Sequence, residues 1–306
     1  MNDTGHPHPR SESQTGFGAA LGAYVIWGFF PLYLLLVAAV PPIEFVAWRI
    51  VWTLPVCLVI VLVRRQWRQV RAAFGNPQVL VRLLLSSVLI AVNWFTYVWA
   101  VQSGHVLAAS LGYYINPLFN VLLGTVLLKE RLTRAQWIAV ALAGLGVALL
   151  ATGALTTLWI SLTLAISFGT YGLVRKQLDV GSLPGLTIES ALLLLPSAGI
   201  AWWYAERMGS SFFVTPGLSA AIALGGIITA IPLLMFAVAA RRLPYSTLGF
   251  IQFLAPSIVF VLGLTVFREE LRPAQAACFA CIWVAAAIFV WDLWHRSRAP
   301  RAAPPV

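Results

Sequence analysis

In the stretch SLGYYINPLFNVLLG, residues 110–124, Tyr113, Asn116 and Asn120 recur at steps of three and four. That spacing places a phenol and two carboxamides on one face of a helix. Such groups donate and accept hydrogen bonds and carry no charge at neutral pH, so they suit the holding of a solute rather than its conversion. Pro117, next to Asn116, removes a backbone donor and is expected to bend the helix. Gln252, Pro256 and Ser257 repeat the arrangement more sparsely. Asn93 and Tyr97 are one turn apart, as are Trp27 and Pro31, while Ser167, Thr170 and Tyr171 share a face and Thr229 stands near Pro232. The expected solute-binding set is therefore Tyr113, Asn116, Asn120, Asn93, Tyr97, Gln252, Tyr171, Trp27 and Arg49. Taken singly, each amide or hydroxyl could equally be an interhelical hydrogen bond worth about 1 kcal/mol.

Two charges fall within apolar runs. Arg49 offers a fixed positive charge to an anionic or carboxylate group; the alternatives are a pair with Glu44 or a lipid headgroup. Glu189 is the best-placed carboxylate for coupling by titration, with a position at the lipid interface as its alternative. No paired carboxylates, His cluster or Ser/His/Asp arrangement accompanies these residues, which argues against an enzyme. Cys278 and Cys281 form a CxxC with no second pair and no His nearby, so they read as small packing residues rather than a metal site.

The elements that must position these groups are set by composition. Of 306 residues, 60% are hydrophobic and 10% charged. Apolar runs of about twenty residues, the length that crosses a bilayer core, follow one another as ten spans near 17–38, 43–63, 80–101, 105–128, 135–151, 156–174, 185–205, 218–240, 246–267 and 274–294. The net charge of +10 sits in short loops and so reports membrane sidedness rather than nucleic acid. With the N-terminus cytoplasmic, sixteen Lys and Arg fall inside and only Arg207, Arg268 and Arg272 outside, which places both termini in the cytoplasm. Residues 1–16 and 295–306 read as polar, disordered tails. Trp137, Trp202, Trp203, Trp291 and Trp294 lie near span ends, as in a headgroup belt; Gly18 and Gly22 form a GxxxG.

The spans are also written twice. GTVLLKERLTRAQ (124–136) returns as GLTVFREELRPAQ (263–275), 139 positions on. In one gapless register Pro117 meets Pro256, Gly124 meets Gly263, Glu130 meets Glu269 and Gln136 meets Gln275. Five spans separate the copies, so they face opposite sides. The expected fold is all-α and integral to the membrane, ten transmembrane helices in a five-plus-five inverted repeat, the halves being 17–154 and 155–294. Pro117 and Pro256 would flank a central axis as helix kinks.

The segments EFVAWRIVW (44–52), NWFTYVWAV (93–101), SLGYYINPL (110–118), SFGTYGLVRK (167–176), TAIPLLMFAVAARRL (229–243) and LGFIQFLAPS (248–257) are spread along the whole chain. Through them the chain resembles the drug/metabolite transporter superfamily and, within it, the RarD-type branch of the EamA family. One departure is Trp48, where the resemblance leads one to expect a His before the Arg. The resemblance implies a permease of a bacterial-type inner membrane, with its cavity between the five-helix halves. The expected activity is secondary transport of a small organic solute, drug or metabolite by alternating access, in the direction of export. No Walker-type phosphate loop is present, so protons are the default coupling ion. The expected partners are a small solute, the bilayer and protons, with no cofactor, metal or nucleic acid; oligomeric state is left open. The alternative is a membrane-embedded sensor that binds without transporting.

Overall fold

The computed structural model describes residues 9–103, 105–268 and 271–298, and their regular structure is helical throughout. The extreme tails, together with Glu269 and Glu270 of the second copy, lie outside the described residues. The first half contains α1 (Pro9–Leu34), α2 (Pro42–Val63), α3 (Trp67–Phe74), α4 (Pro77–Gln102), α5 (Val106–Val126) and α6 (Arg134–Ala151). The second contains α7 (Leu158–Gln177), α8 (Ser182–Arg207), α9 (Pro216–Arg242), α10 (Tyr245–Gln252), α11 (Leu254–Thr265) and α12 (Pro273–Arg298). Among the described residues nine segments are long and apolar enough to cross a membrane, α10 and α11 together forming one. α5, expected as the fourth span, is not among these nine; its 21 residues extend about 31 Å, the thickness of a bilayer core. The chain is an all-α integral membrane protein.

Local chemistry explains where these helices start. Pro42 and Pro216 occupy first-turn positions, where a missing N–H costs nothing. Thr133 and Gln136 form a capping box at α6, their side chains and backbone N–H groups bonded reciprocally at 3.1 Å. In the second copy Gln275 does half of the same work, accepting from the Arg272 N–H at 3.2 Å.

Several boundaries differ from expectation. Residues 9–16 are helical, because α1 starts at Pro9 rather than after a disordered tail, and α12 continues to Arg298. The loop after α2 holds the short helix α3, which buries Val70 and Ala73 and exposes Trp67 beneath the Arg71 guanidinium at 5.6 Å. The two axial prolines also behave differently. α5 continues through Pro117, whereas the ninth span breaks at Phe253. Pro256 has no N–H for the Gln252 carbonyl, and the Phe253 N–H turns to Phe250 O at 3.3 Å.

The duplication is visible in the backbone. Leu128 N–H bonds Leu123 O at 3.2 Å, and Phe267 N–H bonds Leu262 O at 3.0 Å. The next residues, Lys129 and Arg268, are both left-handed, at φ 55° and 52°. Packing carries the same signature. The principal contacts are α1 with α9, matched by α4 with α7; α2 with α9, matched by α4 with α8; and α5 with α7, matched by α1 with α11. The pairs α2–α8 and α6–α12 map onto themselves. A five-span shift leaves this set unchanged, as a duplicated five-helix unit requires.

Glycines permit the closest approaches. A Cβ on Gly226 of α9 would stand 2.5 Å from both C and O of Trp52 in α2, and backbone atoms cannot swing aside. Gly226→Ala is therefore expected to force α2 and α9 apart at a cost of about 1–3 kcal/mol, lowering the thermal midpoint of the purified protein, while Gly217→Ala, with open space around it, leaves it unchanged. Gly22 of the GxxxG packs against Met235, whereas Gly18 faces open space. Gly146 of α6 sits against Cys278 and Cys281 of α12, so the CxxC serves helix packing. The five belt tryptophans are all half or more exposed.

Candidate functional site

A cavity of about 240 Å³ is walled by α1, α2, α4 and α5 of the first half and by α7, α9, α10 and α11 of the second. Seven of the nine expected solute residues line it: Tyr113, Asn116, Asn93, Tyr97, Gln252, Trp27 and Arg49. Pro256 does as well; Pro117 does not, its carbonyl instead facing Gly249 across the α5–α10 contact. The repeat-related pairs Tyr113/Gln252 and Asn116/Ala255 both contribute to the wall, so the cavity straddles the two halves. Aromatic edges shape the rest: Tyr97 meets Tyr113 at 5.6 Å and 70°, and Trp27 meets Phe168 at 5.8 Å and 78°.

Two expected residues lie elsewhere. Asn120 points into the α5–α10 interface, donating to Gln252 Oε1 at 2.7 Å, because Gly249 and Gly169 bring backbone close to it. Tyr171 lies beneath the cavity, stacked on Phe236 at 6.1 Å, and borders a separate void of about 20 Å³ beside Glu189. Asn93 combines both alternatives: it lines the cavity and ties α4 to α7, donating to Leu164 O at 2.9 Å and Ser167 Oγ at 3.1 Å.

At the end of the bundle where α1 begins, side chains tie the helices together below the cavity. Beneath the aromatic floor, Tyr245 donates its hydroxyl to Gly169 O at 2.6 Å. Below that, the Glu130 carboxylate accepts from Tyr245 N–H at 2.5 Å, Ser246 N–H at 2.9 Å and the Ser246 hydroxyl at 2.6 Å. A carboxylate at a helix start satisfies orphan N–H groups and the positive end of the dipole. Lys176 does the converse at the end of α9, donating to Ala240 O at 2.9 Å and Leu243 O at 2.6 Å. Arg241 reaches Val180 O at 2.6 Å. This clasp joins the loop after α5 to the start of α10, and the end of α7 to that of α9.

Toward the other end the path continues. A second cavity of about 190 Å³ shares Phe30, Leu34, Arg49, Trp94 and Tyr97 with the first and reaches Val40 in the α1–α2 loop and Pro42 at the start of α2. Arg49 thus stands where the two meet. It does not pair with Glu44, whose carboxylate accepts instead from Ser211 N–H at 2.8 Å, the Ser211 and Ser210 hydroxyls at 2.7 and 3.2 Å, and Trp48 Nε1 at 3.3 Å. Trp48 stacks on Phe212 at 4.5 Å, so the position where a His was expected serves to seat the α8–α9 loop.

Glu189 is neither in the cavity wall nor at a lipid interface. It is buried, 3.5 Å from the Arg175 guanidinium, and accepts from the Ser86 hydroxyl. Arg175 also donates to Ser182 O at 2.9 Å, and its guanidinium occupies the space left by the missing side chain of Gly185. Trp94 and Leu233 belong to the walls of both the main cavity and the void beside Glu189.

Sequence reasoning passed over Glu130, Ser86 and Arg175 as site residues, and gave Glu44 only as an alternative partner of Arg49. For Glu130 a signal existed, since it is an identity between the two copies. For Arg175 there was none, because a cation at a span end looks like a loop charge.

The EamA-like transporter family model matches residues 14–152. An uncharacterized transporter of Pseudomonas aeruginosa is 47% identical over 290 residues, covering 92% of this chain and 95% of that one. The chain belongs to the EamA-like transporter family. Within the EamA-like proteins, RarD of Streptomyces exfoliatus is 42% identical, covering 95% of this chain and 93% of its own, and RarD of Escherichia coli 41%, covering 94% and 97%. A solved crystal structure shares the fold at TM-score 0.70 and 21% identity, covering 95% of this chain and 99% of its own. An EamA-like membership makes this a multi-pass membrane transporter with bacterial relatives.

Proposed function

We propose that this protein is a secondary-active permease of the bacterial inner membrane that moves a small organic solute by alternating access. The two halves, 17–154 and 155–294, rock about the axial cavity. The observation that carries this reading is the asymmetry of the cavity: it is walled by both repeats, continuous toward one end and clasped by Glu130 and Lys176 at the other. That is the geometry of a carrier caught facing one way. With the clasped side, which carries Lys129, Arg131, Lys176 and Arg241, taken as cytoplasmic, the conformation faces outward and both termini are inside. Proton coupling is assigned to Glu189. Protonating it would discharge the pair with Arg175 next to the cavity wall shared through Trp94 and Leu233, a local change that both sides of the wall would register.

The test is transport in proteoliposomes, with uptake and efflux arms and an imposed pH gradient. A panel of small carboxylates, amides and amines should yield a solute that the gradient concentrates. Asn116→Ala, which removes an amide from the wall, is expected to lower the rate at least about tenfold, the equivalent of ~1.4 kcal/mol. Glu189→Gln should retain solute exchange and lose gradient-driven accumulation. Saturable binding by the purified protein without movement of any solute would overturn the transport reading in favour of a sensor.

A further inference from the structure

Arg49 is an unusual occupant of a cavity wall. Its side chain is 9% exposed, and it stands at the junction of the two cavities. Among the described residues no carboxylate lies within ion-pairing distance; the ion pair found there is Arg175–Glu189. The nearest acid in sequence, Glu44, is committed by three hydrogen bonds to the α8–α9 loop and one from Trp48. The guanidinium forms no hydrogen bond with a described residue, and Nε is buried without a partner among them.

What surrounds the charge is aromatic. The guanidinium carbon lies 4.6 Å from the Trp94 ring centre, 5.7 Å from Phe30 and 5.8 Å from Phe45. Ring faces attract a cation and lower the cost of its burial, but they accept none of its five N–H groups. A buried cation stabilised by π faces alone keeps its fork of donors vacant, and that fork matches the two oxygens of a carboxylate. No acidic side chain lines either cavity, so a cationic solute would meet repulsion without a counter-charge. A neutral solute would leave the fork unfilled.

We infer that the transported solute is an organic monoanion, a carboxylate on an apolar or aromatic body, whose oxygens bind Arg49 while the body lies among Trp27, Phe30, Trp94 and Tyr97. This deepens the transport reading and rests on it for the word "transported"; the binding site itself does not depend on movement. It also assigns an order to the path. A solute arriving through the vestibule past Val40 and Pro42 meets Arg49 before it reaches Asn116 and Gln252.

The experiment measures binding, so that it stands apart from transport. Purified wild-type protein in phosphatidylcholine nanodiscs is titrated with matched sets on one body, 3-phenylpropionate, 3-phenylpropionamide and 3-phenylpropylammonium, and the corresponding indole and cyclohexyl series, followed by tryptophan fluorescence and calorimetry. Within at least one series the carboxylate should bind about tenfold or more tightly than the amide, with the ammonium weaker still. Arg49→Gln should abolish the difference between carboxylate and amide, and Arg49→Lys should restore part of it. Equal binding of amide and carboxylate in every series, or no binding by any carboxylate at millimolar concentration, overturns the inference; both are read on wild type, so a misfolded variant does not obscure them. Repeating the titration with phosphatidylglycerol in the disc separates solute from lipid. If the anionic headgroup occupies the site and the carboxylate cannot compete, Arg49 is a lipid site and the solute assignment is overturned. Carboxylate binding without transport would keep the inference and sink the permease.

Discussion

Arg175→Met is expected to cost about 3–5 kcal/mol of stability, the consequence of leaving a buried carboxylate without its cation. The side chains of Arg175 and Glu189 are 1% and 3% exposed, so neither can turn to water when the other is removed. In a membrane protein of ordinary stability that loss shows as failure to purify as a single species in detergent, or as a large fall in thermal midpoint. The partner change Glu189→Gln should be milder, since Arg175 retains its bond to Ser182 O at 2.9 Å. The decisive variant is the double substitution Arg175→Met, Glu189→Gln, which removes both charges and should recover most of the lost stability. Recovery would show that the pair, rather than the arginine's shape, stabilises this region. If the double variant is as unstable as Arg175→Met alone, the ion pair is not the cause, and the fit of the guanidinium against Gly185 takes its place.

The second large effect concerns conformation. Glu130→Ala deletes three hydrogen bonds to a carboxylate and exposes the first N–H groups of α10. Charge-assisted bonds contribute about 1.5–3 kcal/mol each, yet the fold does not depend on them if the clasp opens in the working cycle. The expected result is a shift of the conformational ratio by tenfold or more, since about 1.4 kcal/mol suffices for that. It can be read with Asn116→Cys in a background free of Cys57, Cys278 and Cys281, using an impermeant maleimide applied to each face of oriented vesicles. Labelling from the N-terminal side should rise strongly in Glu130→Ala and modestly in Glu130→Gln. An unchanged pattern together with a lowered thermal midpoint would mean that Glu130 serves stability alone.

Much of this architecture was legible because membranes restrict what a chain can write. Twenty-residue apolar runs and the bias of Lys and Arg are dictated by the solvent, and the register between Gly124 and Gly263 survives because the turn it encodes is needed twice. The left-handed Lys129 and Arg268 and the caps made by Gln136 and Gln275 are the physical reasons for those residues. The polar faces also pointed to the cavity, and seven of nine residues line it. What escaped depends on partners distant in sequence. Asn120 and Tyr113 share a helix face, but which of them meets the cavity is decided by Gly249 and Gly169 pressing on one of them. Arg175 and Glu189, Glu44 and Ser211, and Glu130 and Tyr245 are matched only once the bundle has closed. The same holds for the prolines: Pro117 and Pro256 look alike in sequence, yet the helix breaks at only one, so the two copies are not mechanically equal.

The matched packing of the helices separates bearings from jaws. If the two halves exchange conformations as proposed, α1–α9 is carried into α4–α7, and one such contact tightens as the other loosens. The pairs α2–α8 and α6–α12 are carried into themselves, and on that proposal the same contact serves before and after. A flaw in a bearing, such as a bulky residue in place of Gly146 against Cys278, penalises both conformations alike and leaves their ratio where it was. Variants of the jaws alter that ratio even where they hardly touch stability. On the alternating-access proposal a weakened carrier and a biased carrier are separate defects, arising on different helices.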